Sequence, residues 1–287
     1  MLLHIILKEL LDHLKSLRFF LIVVLVIVLM AVSAILYVPE YRLNLKDYDR
    51  NRNEMLSNIS ERASWPQALF QVFSFNYNGP WVYKNVNNLG FISDGQEDQL
   101  PNAFRPSAFR VYGPSKQVRS NILVWRNIPL DWSLIIGVIL SFAALVLVYD
   151  SISGERENGT LRLHMANPVS RATVLTGKFF GAFISLSLAL TIGVLLNLII
   201  LMASGVIPFG LHEWIVIALA YGLSLVYIAV FILLGMFISS RTSESAVSLV
   251  VGLLTWSLLV VVVPGMGGYI AAQFTSLPSS DTVYSES

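Results

Sequence analysis

The sequence predicts an all-α polytopic membrane protein: an N-terminal interfacial helix, five transmembrane helices, and a mixed extracytoplasmic domain between the first two spans. Two observations carry this prediction. Hydrophobic residues fill 55% of the 287 positions and charged residues only 13%, against about 25% charged in a soluble domain that must wet its surface. The apolar residues also gather into separate uncharged runs, each near the length of about 20 residues that a helix needs to cross a hydrocarbon core.

In residues 1–18, Leu3, Ile6, Leu7, Leu10, Leu11, Leu14 and Leu17 recur at helical spacing opposite Lys8, Glu9, Asp12, His13 and Lys15. Such a helix lies in the interface plane with its cations beside anionic lipid, which makes membrane lipids a partner. The simpler alternative is a juxtamembrane extension of the first span. That span, 19–38, contains LIVVLVIVLM, where no Asp, Lys or Arg opposes insertion. It is too long for a signal-peptide core and lacks a small-residue cleavage site, so it is retained.

Residues 39–131 turn polar, with a charge-rich start, several Pro and Gly, and aromatics including Trp65, Phe70, Phe73 and Tyr83 that suffice for a small core. This segment is expected to fold on one side of the membrane. The second span is 132–149, followed by a charged connection at 150–178; the third, fourth and fifth spans are 179–207, 214–240 and 246–270. A polar tail, 271–287, reads either as a disordered end or as the start of a second external domain cut short by truncation.

Short flanks set the orientation, because long domains cross largely regardless of charge. Lys8, Lys15 and Arg18 precede the first span, Arg156, Arg162, Arg171 and Lys178 lie between the second and third, and Arg241 lies between the fourth and fifth. These are assigned to the cytoplasm, N-terminus included. The connection ASGVIPFGLHEW has no lysine or arginine and belongs outside with residues 39–131 and the tail.

Several function classes drop out. A net charge of +1 with no basic face argues against nucleic acid. The chain has no cysteine, and its four histidines, His4, His13, His164 and His212, show no ligand spacing, so no metal site is expected. The spans contain no acid or base, which a proton- or sodium-coupled carrier would be expected to keep. Nor do they pair a nucleophile with a base, so no catalytic residue is expected. Asn197 reads as an interhelical hydrogen-bonding group, and Gly177, Gly181 and Ser185 as a ridge for close helix packing. Gly177-Lys178 is followed by Phe179 where a phosphate-binding loop needs Ser or Thr, so no nucleotide or other cofactor is expected on this chain.

The connection DSISGERENGTLRLHMANPVSRATVLTGK is the dense charge cluster on the cytoplasmic side. The second span is expected to run past Asp150. Asn158-Gly159 then forms a turn, since Gly tolerates positive φ, and Thr160 is placed to cap a short helix beginning LRLHMA. Asn167-Pro168 ends that helix, and Ser170 caps the next one, which carries Arg171 and Lys178 into the third span. A short helix between turns, bearing Glu155, Arg156, Glu157, Arg162 and His164, suits docking of a soluble partner. A solvated loop whose charges only enforce topology fits equally well.

In its ordered residues the stretch from Trp132 to Phe179 resembles the ABC type-2 permease family. An acid ends the second span at Asp150; Gly154, Glu155 and Arg156 follow, then Gly159, Thr160 and Leu161, then Pro168 and Arg171, with Gly177 and Lys178 opening the third span. The order of interfacial helix, span, external domain and further spans is similar to members with a large insertion after the first span. The resemblance implies that Asp150, Gly154, Glu155, Arg156, Gly159, Thr160, Arg162, Pro168, Arg171 and Lys178 form the segment that couples to a separate ABC ATPase subunit. That subunit would bind the ATP and Mg. It further implies a second permease copy or a homologous permease, a bacterial plasma (inner) membrane, and export of an unidentified substrate. Six spans are usual in that family and this sequence shows five, so the last is expected to be missing. The competing expectation is a membrane-anchored sensor or assembly scaffold whose external domain binds a ligand.

Overall fold

An apolar run in hydrocarbon can satisfy its backbone only by coiling into a helix or closing a barrel. The computed structural model of the protein describes residues 2–63, 82–94, 103–106, 111–115, 130–160 and 170–267. Among these it has five helices long and apolar enough to cross a membrane: Leu17–Glu61, Trp132–Glu157, Arg171–Ala203, Leu211–Arg241 and Ser245–Gly267. The fold is therefore that of an all-α polytopic membrane protein.

The N-terminal helix α1 (Leu2–Lys15) is separate from α2 (Leu17–Ala63) because Ser16 intervenes. Its N–H and hydroxyl both bond the His13 carbonyl, at 2.9 and 2.8 Å, while its Oγ accepts from the Phe19 N–H at 3.2 Å. One residue thus closes α1 and caps α2, satisfying backbone groups that a helix end leaves open. Along α2, Phe19, Ile22, Val26, Met30, Ser33 and Ala34 are buried, whereas Phe20, Leu21, Leu25, Val28 and Leu36 face outward. That second face is apolar because its solvent is hydrocarbon.

Helix α2 continues through Pro39 and the charged stretch to Ala63, so the helix of the first span runs past the expected boundary at residue 38 and residues 39–131 begin as its extension. Next comes a small antiparallel sheet in the order β1 (Val82–Tyr83), β2 (Ala103–Pro106), β3 (Val111–Ser115). Val82 pairs with Phe104 and Pro106 with Val111, with an irregularity between Ala103 and Arg105. Pro106, with no N–H to donate, is the last residue of β2. Of the aromatics expected to form a core here, Trp65, Phe70 and Phe73 lie outside the described residues.

The second span is composite: α3 (Trp132–Leu134), a π-helical stretch (Ile135–Leu140) and α4 (Ser141–Val148), leading to the short helix α5 (Ser153–Glu157). Helices α6 (Arg171–Ala203) and α7 (Leu211–Arg241) are continuous. The fifth span is α8 (Ser245–Trp256) followed by a second π-helical stretch (Ser257–Val262).

Internal contacts divide the chain into two units. The first comprises the N-terminal stretch to Val26, Ile136–Leu190 and the chain from Leu223 onward. Here α4 approaches α7 at Gly235, where a Cβ would lie 2.5 Å from Val148 Cγ2, the close contact that small residues permit between membrane helices. Tyr227 Oη donates to the Gly137 carbonyl at 3.0 Å, Ser141 Oγ donates to the same carbonyl at 2.6 Å, and Trp256 Nε1 donates to Ser141 Oγ at 2.9 Å.

The second unit comprises Ile27–Ile135 and Thr191–Gly222. Phe91 is its aromatic centre, edge-on to Tyr37, Trp132 and Phe209. Asn197 is fully buried; it accepts from Trp132 Nε1 at 3.1 Å and donates to the Met30 carbonyl at 2.7 Å, joining three spans as an interhelical polar group should. Asp131 caps α3 by accepting from Leu134 N at 2.8 Å and also accepts from Asp94 N at 3.0 Å. This ties the returning insertion to the start of the second span.

Candidate functional site

The charged connection after the second span lies within the first unit, and three kinds of contact build it. The first is backbone closure. Ser153 Oγ donates to the Tyr149 carbonyl at 2.9 Å, and the N–H groups of Ile152 and Ser153 both donate to Ser239 Oγ, at 3.1 and 3.0 Å. Ser248 Oγ donates to the Tyr149 carbonyl at 2.7 Å. The open backbone groups at the end of α4 and the start of α5 are thus filled by hydroxyls from α7 and α8, as a buried helix end requires.

The second is a buried ion triad. Lys178 Nζ sits 2.8 Å from Glu155 Oε1 and 3.1 Å from Glu9 Oε1, and its side chain is only 7% exposed. A lysine this far from water is tolerable because two carboxylates meet it. The triad joins α1, α5 and α6. Lys178 can reach it because α1 lies directly on the glycine ridge: a Cβ on Gly177 would come 2.5 Å from Ile5 Cγ2, and one on Gly181 would come 2.6 Å from Glu9 Cβ. Ser185 continues that ridge, its Oγ donating to the Gly181 carbonyl at 2.8 Å.

The third is a pair of helix-end contacts made by adjacent residues of α5. Arg156 Nη1 and Nη2 donate to the carbonyls of Thr242 and Ser240, at 2.8 and 3.0 Å, so a cation sits on the open carbonyls at the end of α7. Glu157 Oε2 accepts from the N–H of Ser245 at 3.0 Å and from its hydroxyl at 2.7 Å, so an anion sits on the first turn of α8. Glu244, the residue before α8, makes no side-chain cap of its own; Glu157 supplies that contact.

Around these ties, Asp150 Oδ2 meets Arg18 Nη1 at 2.7 Å, half-exposed, and the Arg18 guanidinium lies over the Tyr149 ring. Gly154 packs closely, with a Cβ there meeting Asp150 Cβ at 3.3 Å and Ser245 Oγ at 3.4 Å. Gly159 has φ 71°, and its N–H bonds the Arg156 carbonyl at 3.2 Å, the left-handed ending that favours glycine. Thr160 Oγ1 donates to the Glu155 carbonyl at 3.3 Å. Ser170 Oγ accepts from Thr173 N at 3.1 Å, capping α6. Arg171 is exposed at the first turn of that helix.

Asp150, Gly154, Glu155, Arg156 and Lys178 are therefore brought together, Gly159 and Thr160 follow at the exposed end of α5, and Arg171 opens α6. Arg162, Pro168 and the helix expected at LRLHMA lie outside the described residues. The contacting groups that sequence reasoning missed are Glu9, Arg18, Ser239, Ser245, Ser248 and the carbonyls of Ser240 and Thr242. The signal for the last ones is faint: a run of small hydroxyl residues around Arg241, beside acids and a base some 85 positions earlier.

No groups of His, Asp and Glu that could hold a metal ion occur among the described residues. What the geometry defines is a multi-pass helical membrane protein in which one short connection is bonded to the ends of its neighbouring helices. Residues 3–280 match the model of the ABC-2 family transporter proteins, and the chain belongs to that family. Over 55 residues it is 46% identical to the probable ABC transporter permease protein NosY of Stutzerimonas stutzeri and to that of Pseudomonas aeruginosa. Each match covers 19% of this chain and 20% of the relative, so the chain spans about a fifth of the length of these curated relatives.

Proposed function

We propose that this chain is the membrane-spanning permease subunit of an ATP-driven ABC exporter in a bacterial inner membrane. A separate ABC ATPase subunit binds and hydrolyses the ATP with its Mg, and the permease works with a second copy of itself or a homologue. On this reading the insertion after the first span faces away from the cytoplasm, as in family members that carry a large external segment. Membership of the ABC-2 family and the permease names of the relatives support this reading. The observation that carries it is the connection from Asp150 to Lys178: its base is bonded into the bundle by Glu155, Arg156 and Lys178, so a protein docked on residues 161–169 would push on helices rather than on a loose loop.

The base is structural, so the test belongs at 161–169. The tagged chain is extracted from its native membrane in detergent beside a variant with Arg162→Ala and His164→Ala. An ATP-binding subunit recovered with the unaltered chain and depleted from the variant is the expected result. A stable chain that brings down no ATPase would overturn the reading and turn attention to ligands of the external segment.

A further inference from the structure

Three consecutive charges of α5 bond three different neighbours. Glu155 joins Lys178 of α6, and through it Glu9 of α1. Arg156 holds the last carbonyls of α7, and Glu157 the first turn of α8. The contacts to α7 and α8 are charge-assisted and made to helix ends, where bonds run along the helix axis and a displacement is carried down the rod. Ser239 adds a second tie between α7 and the backbone at the start of α5.

We infer that α5 is the distributor of the transport cycle: Arg156 and Glu157 are positioning residues that pass movement of the connection into the fourth and fifth spans, and Glu155 passes it into the third span and the interfacial helix. This rests on the permease reading. It assigns these residues an inward role, coupling rather than docking. A helix fixed to its own bundle by one ion pair could rock freely, whereas one tied at three successive residues to separate helices moves them together. Such rigid-body transfer is how small shifts at one site become helix displacements elsewhere.

Arginine at 156 is specific, because its planar fork meets two carbonyls at once while a lysine offers a single point charge. Arg156→Lys therefore keeps the charge that a docking partner or the topology would read and removes the two-carbonyl contact. Glu157→Ala removes the α8 tie, and Ser245→Ala weakens it from the other side without touching the connection.

Each variant is purified from native membrane with its accompanying ATP-binding subunit and reconstituted in vesicles of native lipid. Two quantities are read: the amount of ATP-binding subunit retained, and the stimulation of its ATP hydrolysis over that subunit alone. Retention within about twofold of the unaltered chain is expected, with stimulation falling about tenfold in Arg156→Lys and Glu157→Ala, the scale of a lost charge-assisted hydrogen bond, and less in Ser245→Ala. Unchanged stimulation in Arg156→Lys and Glu157→Ala would overturn the inference while leaving the permease reading intact. Loss of the subunit in proportion to stimulation would overturn it in favour of direct docking. A failure of the unaltered chain to retain any ATP-binding subunit would remove both.

Discussion

Gly177 and Gly181 hold their places through what they lack. Each would drive a Cβ into α1, and at Gly181 the nearest obstacles include the Glu9 and Leu10 backbone as well as Glu9 Cβ, so no side-chain rotation relieves the contact. Lys178 between them reaches Glu9 only because α1 lies this close. Gly181→Ala is therefore expected to lift α1 from α6, at about 1–3 kcal/mol, the usual cost of overpacking. Gly222→Ala is the control, since nothing lies within 4 Å of a Cβ there. The chain has no native cysteine, so a single Ile5→Cys reports the seat directly. Its reaction with a thiol reagent should speed up in the Gly181→Ala background and stay unchanged with Gly222→Ala. Equal rates in the two would mean that the ridge is not what seats the helix. The ridge itself is legible in sequence as three small residues four apart; the helix that fills it is not, because residues 1–18 show an apolar stripe without saying which neighbour receives its other face.

At the scale of elements, the spans are legible because hydrocarbon leaves an apolar run almost no choice but helix. Two features escape that logic. The charged stretch from Glu40 to Glu61 reads as the start of a separate polar domain, yet it continues α2. Asp47 and Arg50 pair one turn apart at 3.5 Å, the kind of local contact that supports a polar helix without a core. The π-helical stretches leave no compositional trace either, since IIGVIL and SLLVVV would serve in any span. Their placement has a physical reading. The first ends just before Ser141 and the second begins just after Trp256, and these two residues share a hydrogen bond at 2.9 Å beside an edge contact between Phe142 and Trp256. Such stretches weaken the local backbone ladder, and one side-chain bond links the two weak points. Trp256→Phe keeps an aromatic ring beside Phe142 and deletes the donor. It is expected to lower stability by about 1 kcal/mol, as for other bonds between membrane helices, and to raise amide exchange in both stretches, 135–140 and 257–262. Exchange rising in the fifth span alone would show that the two are independent.

At the scale of the whole molecule, the span count gives the proposed topology a form that can be tested. If the five candidate spans all cross, the N-terminus, the 150–178 connection and the 242–244 connection share one side, and the insertion and the 204–210 connection share the other. The first unit bonds Arg18 to Asp150, Lys178 to Glu9 and Arg156 to Thr242. The second bonds Arg42 to the Ser204 carbonyl at 3.3 Å and Asn88 to Glu213 at 3.5 Å. On the proposed reading, the basic residues flanking the first set would put it in the cytoplasm, the side from which an ATP-hydrolysing partner would dock. Single cysteines in this cysteine-free chain test the assignment without background: Asp12→Cys, Thr160→Cys and Ser243→Cys for one side, Asn85→Cys and Leu211→Cys for the other. With a membrane-impermeant thiol reagent on intact cells, the last two should label and the first three only after permeabilisation. Labelling of Thr160→Cys from outside would place the connection away from ATP and end the exporter reading, whereas labelling of all five in intact cells would mean that the chain does not hold one orientation.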